Sequence, residues 1–272
     1  MWSKEYNVQD QRTAIYSRPH LVLGNCAFEA RKEIEFDFTT GNMRNIDTDI
    51  PYGYLKIFEE IISNVADAVN ETRENMIETN IVEAVIDPTT ITLRNYGLPI
   101  PIERHSETGC WKPHVIFGML NSSSNYSKQR RGGGANGLGA KGTNIMSSAF
   151  QVEVYDRIRG AFYQETWTAN MSVESPEIVT SLPNPSPLTY ANDKDLDTSV
   201  ANLSYVQIKY QPDFSRFGHA DPHVNARRMD NNISSYGLLV RRLIDLSWTL
   251  KVKIALTVND ITTVLDYRSF TT

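Results

Sequence analysis

Tyr54-Leu55-Lys56-Ile57-Phe58-Glu59-Glu60-Ile61-Ile62-Ser63-Asn64-Val65-Ala66-Asp67-Ala68-Val69 is the stretch on which the fold of this chain turns. At about 100° per residue, Glu60, Asn64 and Asp67 fall within an arc of roughly 60°. Leu55, Phe58, Ile61, Ile62, Val65 and Val69 gather on the opposite side. The stretch is predicted to be an amphipathic helix that packs with one face and leaves the other for chemistry. Any surface helix sets carboxylates against its apolar stripe, so the pattern alone does not make a site. The residue types add to it. A carboxylate at Glu60 can orient and deprotonate a water, and the amide oxygen of Asn64, one turn on, is a hard ligand suited to Mg²⁺.

Downstream lies Gly132-Gly133-Gly134-Ala135-Asn136-Gly137-Leu138-Gly139-Ala140-Lys141-Gly142. Glycines let backbone N–H groups approach an anion, and Lys141 adds a mobile point charge. Gly137-x-Gly139-x-x-Gly142 matches the dinucleotide fingerprint, but the preceding residues, Asn121 to Arg131, are polar and lack the buried strand that fingerprint needs. A P-loop also fails, because Ala140 separates Gly139 from Lys141 and Gly142 stands where a Ser or Thr should follow the lysine. The segment reads as a flexible lid over phosphates or as a glycine-rich surface loop.

Between these two elements, Ile81-Val82-Glu83-Ala84-Val85-Ile86, the turn Asp87-Pro88-Thr89-Thr90 and Ile91-Thr92-Leu93-Arg94 read as a hairpin ending at Asn95-Tyr96-Gly97. The Asn95 carboxamide offers a donor and an acceptor to an adenine edge. The alternative is an ordinary Asn-Tyr-Gly turn. Farther on, Ser172 to Asp197 is rich in proline and polar residues and is expected to be a long surface excursion. It separates strands around Phe162–Thr166 and Tyr205–Lys209, and a late helix is expected from about Val224 to Leu246.

The order of Phe58 to Asp67, Asn95-Tyr96-Gly97, Ile116 to Tyr126 and Gly133 to Lys141 resembles the ATPase domain of eukaryotic-type type IIA DNA topoisomerases, a GHKL or Bergerat fold. Arg18-Pro19-His20-Leu21-Val22-Leu23-Gly24, Gln211 to Phe217 and Val240 to Asp245 resemble further family segments, so the likeness runs from about Tyr6 to Asn259. It implies an α/β two-layer sandwich, a mixed, mostly antiparallel sheet with helices on one face. By the same likeness Glu60 is the general base, Asn64 the Mg²⁺ ligand and Asn95 the adenine contact. Ser123, Ser124 and Asn125 meet ribose and phosphate, and Gly134, Ala135, Asn136, Gly137, Leu138, Gly139, Ala140 and Lys141 wrap the phosphates of ATP. Asp67 supports the site.

Several positions depart from the family pattern: Ala68 replaces an Asn, Pro99 a glycine, Ala135 an Arg and Leu138 a Tyr. Arg130 or Arg131 could stand in for the missing lid arginine, or form a solvated basic pair. The resemblance further implies an N-terminal arm and strap in residues 1–30, with Tyr6 in the arm exchanged between protomers. The ATPase domain would occupy 31–260, and 261–272 would begin a linker to a transducer domain. The module would form a homodimer on binding ATP and act as an entry gate for duplex DNA. In the family a Gln-Thr-Lys loop of the transducer completes the site, and this chain contains no such tripeptide, so weak hydrolysis by the chain alone is expected.

Composition narrows the class. With 272 residues and 40% hydrophobic content, the chain can build one sizeable core. A net charge of −5 argues against this segment as the main grip on DNA, since duplex binding is dominated by phosphate neutralisation. No apolar run is long enough to span a membrane. The two cysteines, Cys26 and Cys110, read as free thiols of a reducing compartment, which with the resemblance suggests a nucleus or a viral replication compartment. His219 and His223 stand four apart, but Pro222 between them argues against a helical metal pair, and none of the five histidines is assigned to metal.

Overall fold

Alternation along the strands sets the architecture. In β3 (Ile81–Ile86) Val82, Ala84 and Ile86 point to one core, and Ile91 and Leu93 of β4 (Ile91–Gly97) join them. Phe150, Val152 and Val154 of β5 (Ser147–Asp156) and Val206, Ile208 and Tyr210 of β9 (Ser204–Pro212) extend the same face. The structure, a computed structural model, describes residues 9–120, 137–181, 203–218 and 234–270. Tyr6, Ser123, Ser124, Asn125, Arg130, Arg131, Gly134, Ala135 and Asn136 lie outside the described residues.

The remaining strands are β6 (Ala161–Thr168), β7 (Val173–Glu174), β8 (Ile178–Ser181), β10 (Lys253–Val258) and β11 (Ile261–Asp266). The sheet runs β11-β10-β3-β4-β9-β5-β6-β7, with β8 also on β6. Its described pairings are antiparallel except β10 with β3, which are parallel with Lys253 opposite Ile81. A separate hairpin pairs β1 (Arg31–Asp37) with β2 (Asn42–Thr48).

Two long helices contribute to that core: α3 (Tyr52–Glu74) and α6 (Ser234–Leu250). Leu55, Phe58, Ile61, Val65 and Val69 of α3 are buried, which is the apolar stripe expected from the sequence, and Ile62 is half-buried. Shorter helices are α1 (Gln11–Ser17), α2 (His20–Leu23), α4 (Lys112–Phe117) and α5 (Gly139–Ile145). The mixed α/β architecture with a mainly antiparallel sheet is the one expected.

Some local expectations are corrected. The late helix runs on to Leu250, where Lys251 turns with φ 56° and Ser247 donates its hydroxyl to the Val252 carbonyl; its expected start lies outside the described residues. The excursion after Met171 begins as sheet, because Glu174 pairs with Trp167 and Ile178 with Gln164. The linker expected from residue 261 falls inside a hairpin, whose second strand, β11, closes the sheet edge on β10. Within the segment expected to form the strap, Arg216 donates to the Tyr16 carbonyl at 2.6 Å and Arg12 donates to that of Asn170 at 2.8 Å.

The sheet's other face buries polar groups. Arg94 donates to the Gln207 side-chain oxygen at 2.8 and 3.1 Å and lies 4.1 Å from the ring centre of Tyr205, which stacks on Tyr155. Tyr96 donates its hydroxyl to Glu83 Oε1 at 2.7 Å, while burial pushes the Glu83 carboxyl up to about 7. A carboxyl raised in the folded state stabilises most below its ordinary value and loses that contribution as pH climbs to the raised one. Glu83→Gln should therefore gain stability relative to the parent as pH rises from 4.5 to about 7. Urea unfolding of both chains at pH 5 and 7.5 checks this, and identical pH profiles would refute it.

Candidate functional site

The working face of α3 meets a short helix built from small residues. Thr143 of α5 donates its hydroxyl to the Ile57 carbonyl of α3 at 2.9 Å, drawing the two backbones together. At that separation a methyl group added to Gly139 would overlap the Glu60 carboxylate. Glu60 is thus held between the start of α5 and Lys56, whose ammonium lies 2.7 Å from Glu60 Oε1. About 60° round α5 from Gly139, Gly142 packs against Leu23 of α2, so the helix meets both α2 and α3.

A second glycine brings α3 onto the sheet. Gly97, at φ 131°, ends β4 where any side chain would collide with Thr72. Thr72 then accepts the Leu98 N–H on its hydroxyl at 3.1 Å. This contact leaves Asn95 in register with Val82 and Val206, on the helix-facing side of β4 and buried. Asn95 and Asn64 each bury an amide nitrogen that has no hydrogen-bond partner among the described residues. Unpaired buried donors are costly, so both sites suit a polar ligand. Asp67 is half-buried on the same helix face.

Lys141 is a packed side chain where a mobile point charge was expected. It is 1% exposed, within a helix whose residues from Ala140 to Ile145 are all buried, and burial pulls its ammonium down to about 8. The mobile lid predicted for this segment is, from Gly139 onward, a packed helix. Its small residues allow the close contacts that the glycine pattern had suggested for a ligand. Asn144 ties the same helix to α4 by donating to the Phe117 carbonyl at 3.2 Å.

No family model matches the chain. Among curated proteins, DNA topoisomerase 2 of Candida albicans is 33% identical over 252 residues, and that of Saccharomyces cerevisiae 31% over 251. Each alignment takes in 92% of this chain, which spans only 15% and 16% of the length of those relatives. The crystal structure of the ATPase region of Saccharomyces cerevisiae topoisomerase II superposes with a TM-score of 0.73 at 29% identity, covering 94% of this chain and 61% of that one. The ATPase and transducer domains of the Balamuthia mandrillaris enzyme give a TM-score of 0.74 at 27% identity, covering 97% and 62%. The chain is a homologue of the topoisomerase II ATPase region.

Within this topoisomerase II fold, the described residues bring Glu60, Gly139 and Lys56 together and place Asn64 and Asn95 on the packed pair α3 and β4. Asn95 belongs to a strand rather than to the Asn-Tyr-Gly turn that local sequence favoured, because β9 pairs with β4 as far as Gly97. Gly137 turns into α5 with φ 61°. Sequence reasoning missed Lys56, although its i, i+4 spacing to Glu60 was a readable signal. It also assigned no histidine to metal. The fold nevertheless brings His114 within ligand reach of Glu165 and Glu174, residues too far apart in the chain to give a local spacing.

The contact between Glu60 and Gly139 makes a direct prediction. Gly139→Ala should destabilise the chain by roughly 1–3 kcal/mol, the range for overpacking. In the Glu60→Ala background the same substitution should cost much less, since the colliding carboxylate is gone. A double-mutant cycle by urea denaturation measures the difference, and additive losses would show that the two residues do not meet.

Proposed function

We propose that the chain is the Mg-ATP-binding and hydrolysing N-terminal gate module of a type IIA DNA topoisomerase, a Bergerat-fold ATPase that dimerises on nucleotide. The observation that carries this reading is Glu60 fixed between Lys56 and α5 on the helix face it shares with Asn64. Homology to a region named for ATPase activity supports it.

In this mechanism Glu60 accepts the proton of the attacking water. Lys56, bonded to Oε1, holds that carboxylate in place. Asn64 would hold Mg²⁺ through its amide oxygen, and the ion would supply positive charge to the phosphates. Asn95 turns its unpartnered amide nitrogen to a ring acceptor of the adenine. Ser123, Ser124 and Asn125 hold ribose and phosphate, and residues 134–141 enclose the phosphates. Lys141, buried and held near 8, becomes fully charged when a phosphate approaches. Residues 1–30 supply the arm and strap, the ATPase domain runs from 31 through β11, and the chain beyond leads toward a transducer. Duplex DNA is the partner of the whole enzyme rather than of this acidic segment.

Glu60→Ala should keep ATP binding and lower turnover by roughly 10²-fold or more, the usual yield of a positioned base. Assay of parent and variant from one preparation decides it, since equal turnover would remove Glu60 from the chemistry. Nucleotide binding should also take up protons at pH 8–9, because the Lys141 ammonium regains its proton beside phosphate. Calorimetry in buffers of different ionisation enthalpy reads that uptake, and it should vanish in Lys141→Met. A non-hydrolysable ATP analogue should raise Tm more than its GTP counterpart and drive sedimentation from monomer to dimer. Equal shifts from the two nucleotides would refute base reading by Asn95.

A further inference from the structure

We propose that His114, Glu165 and Glu174, with Glu177 beside them, form a site for a divalent transition-metal ion of zinc's class that ties α4 to the outer strands of the sheet. One donor atom from each of His114, Glu165 and Glu174 lies within 4.8 Å of the others. His114 Nδ1 is 2.9 and 3.2 Å from the two Glu165 oxygens and 3.8 Å from Glu177 Oε1. One imidazole with carboxylates is a donor set that Zn²⁺ accepts at low coordination number, whereas Mg²⁺ prefers oxygen ligands and keeps its waters.

Three features separate this group from a solvated acidic cluster. Glu165 is 1% exposed, and Tyr163 donates its hydroxyl to Glu165 Oε2, the kind of outer bond that orients a ligating carboxylate. Trp167, also 1% exposed, walls the site, its ring 6.1 Å from that of His114 and its indole pressed against Gly118 at the end of α4. The Trp167 Nε1–H, on a ring that borders His114, is buried without a partner among the described residues and is open to a polar group. Charge points the same way. Three carboxylates, of Glu165, Glu174 and Glu177, face one imidazole. The Glu165 carboxylate is buried, where charge is costly unless compensated, and a divalent cation would compensate it.

The test uses the whole chain, stripped with a chelator, free of nucleotide and titrated with Zn²⁺ against a chromophoric competitor at pH 7.5. The expected result is uptake of one equivalent with a rise in Tm. Glu174→Gln, at an exposed position the fold should tolerate, and His114→Gln should each weaken binding by at least the roughly tenfold typical of losing even an outer-sphere partner. Millimolar Mg²⁺ should not displace the bound ion. Absence of stoichiometric uptake would mean that His114 and Glu165 are only an ion pair. Affinity unchanged in Glu174→Gln would place the ion elsewhere, on a thiol for example, and displacement by Mg²⁺ would overturn the metal class. Should His114→Gln fail to fold, Glu174→Gln alone decides.

Discussion

The close approach of α5 to α3 is the constraint on which the candidate site rests. The Thr143 bond to the Ile57 carbonyl sets the helix separation, and at that separation only glycine fits opposite Glu60. One contact therefore fixes the carboxylate, fixes the start of the helix that carries Lys141, and excludes larger side chains from position 139. Gly142 against Leu23 and Gly97 against Thr72 repeat the device on neighbouring surfaces. In this chain glycine acts less as a hinge than as a spacer, trading side-chain volume for backbone proximity.

The periodicity of α3 was legible because it records a simple fact, an apolar stripe facing one core, and Leu55, Phe58, Ile61, Val65 and Val69 obey it. The hairpin of β3 and β4 was legible for the same reason, with Asp87-Pro88 marking its turn. Asn95 was harder. An Asn-x-Gly at the end of an apolar run has a local preference for turns, and only the pairing of β4 with β9, more than a hundred residues later in the chain, holds it in a strand. The order of weak motifs along the chain pointed to the topoisomerase II relationship where no single motif could.

What local pattern could not convey was which glycines touch which side chains. Gly139 reads identically whether it frees a loop or admits a carboxylate, because the difference lies in a residue almost eighty positions away. The polar face of the sheet posed the same difficulty. Glu83, Arg94 and Gln207 look like solvated strand positions in sequence, yet they are buried together, their charges and amides satisfied largely by one another and by tyrosine hydroxyls and rings. Only the register of three strands reveals that arrangement.

The parallel pairing of β10 with β3 carries a consequence for how the molecule is made. Lys253 sits beside Ile81, so β3 waits for a partner strand about 170 residues later in the chain. Until then β3 presents an open edge and apolar residues that belong under α6, a nascent state prone to unwanted pairing. Contacts of such long sequence separation also slow folding, because loop closure must precede any gain from them. The chain's birth on the ribosome thus imposes a delay during which α3 already exists but the sheet beneath it does not. A cell producing this protein depends on keeping that half-built sheet apart from its neighbours until the hairpin of β10 and β11 arrives.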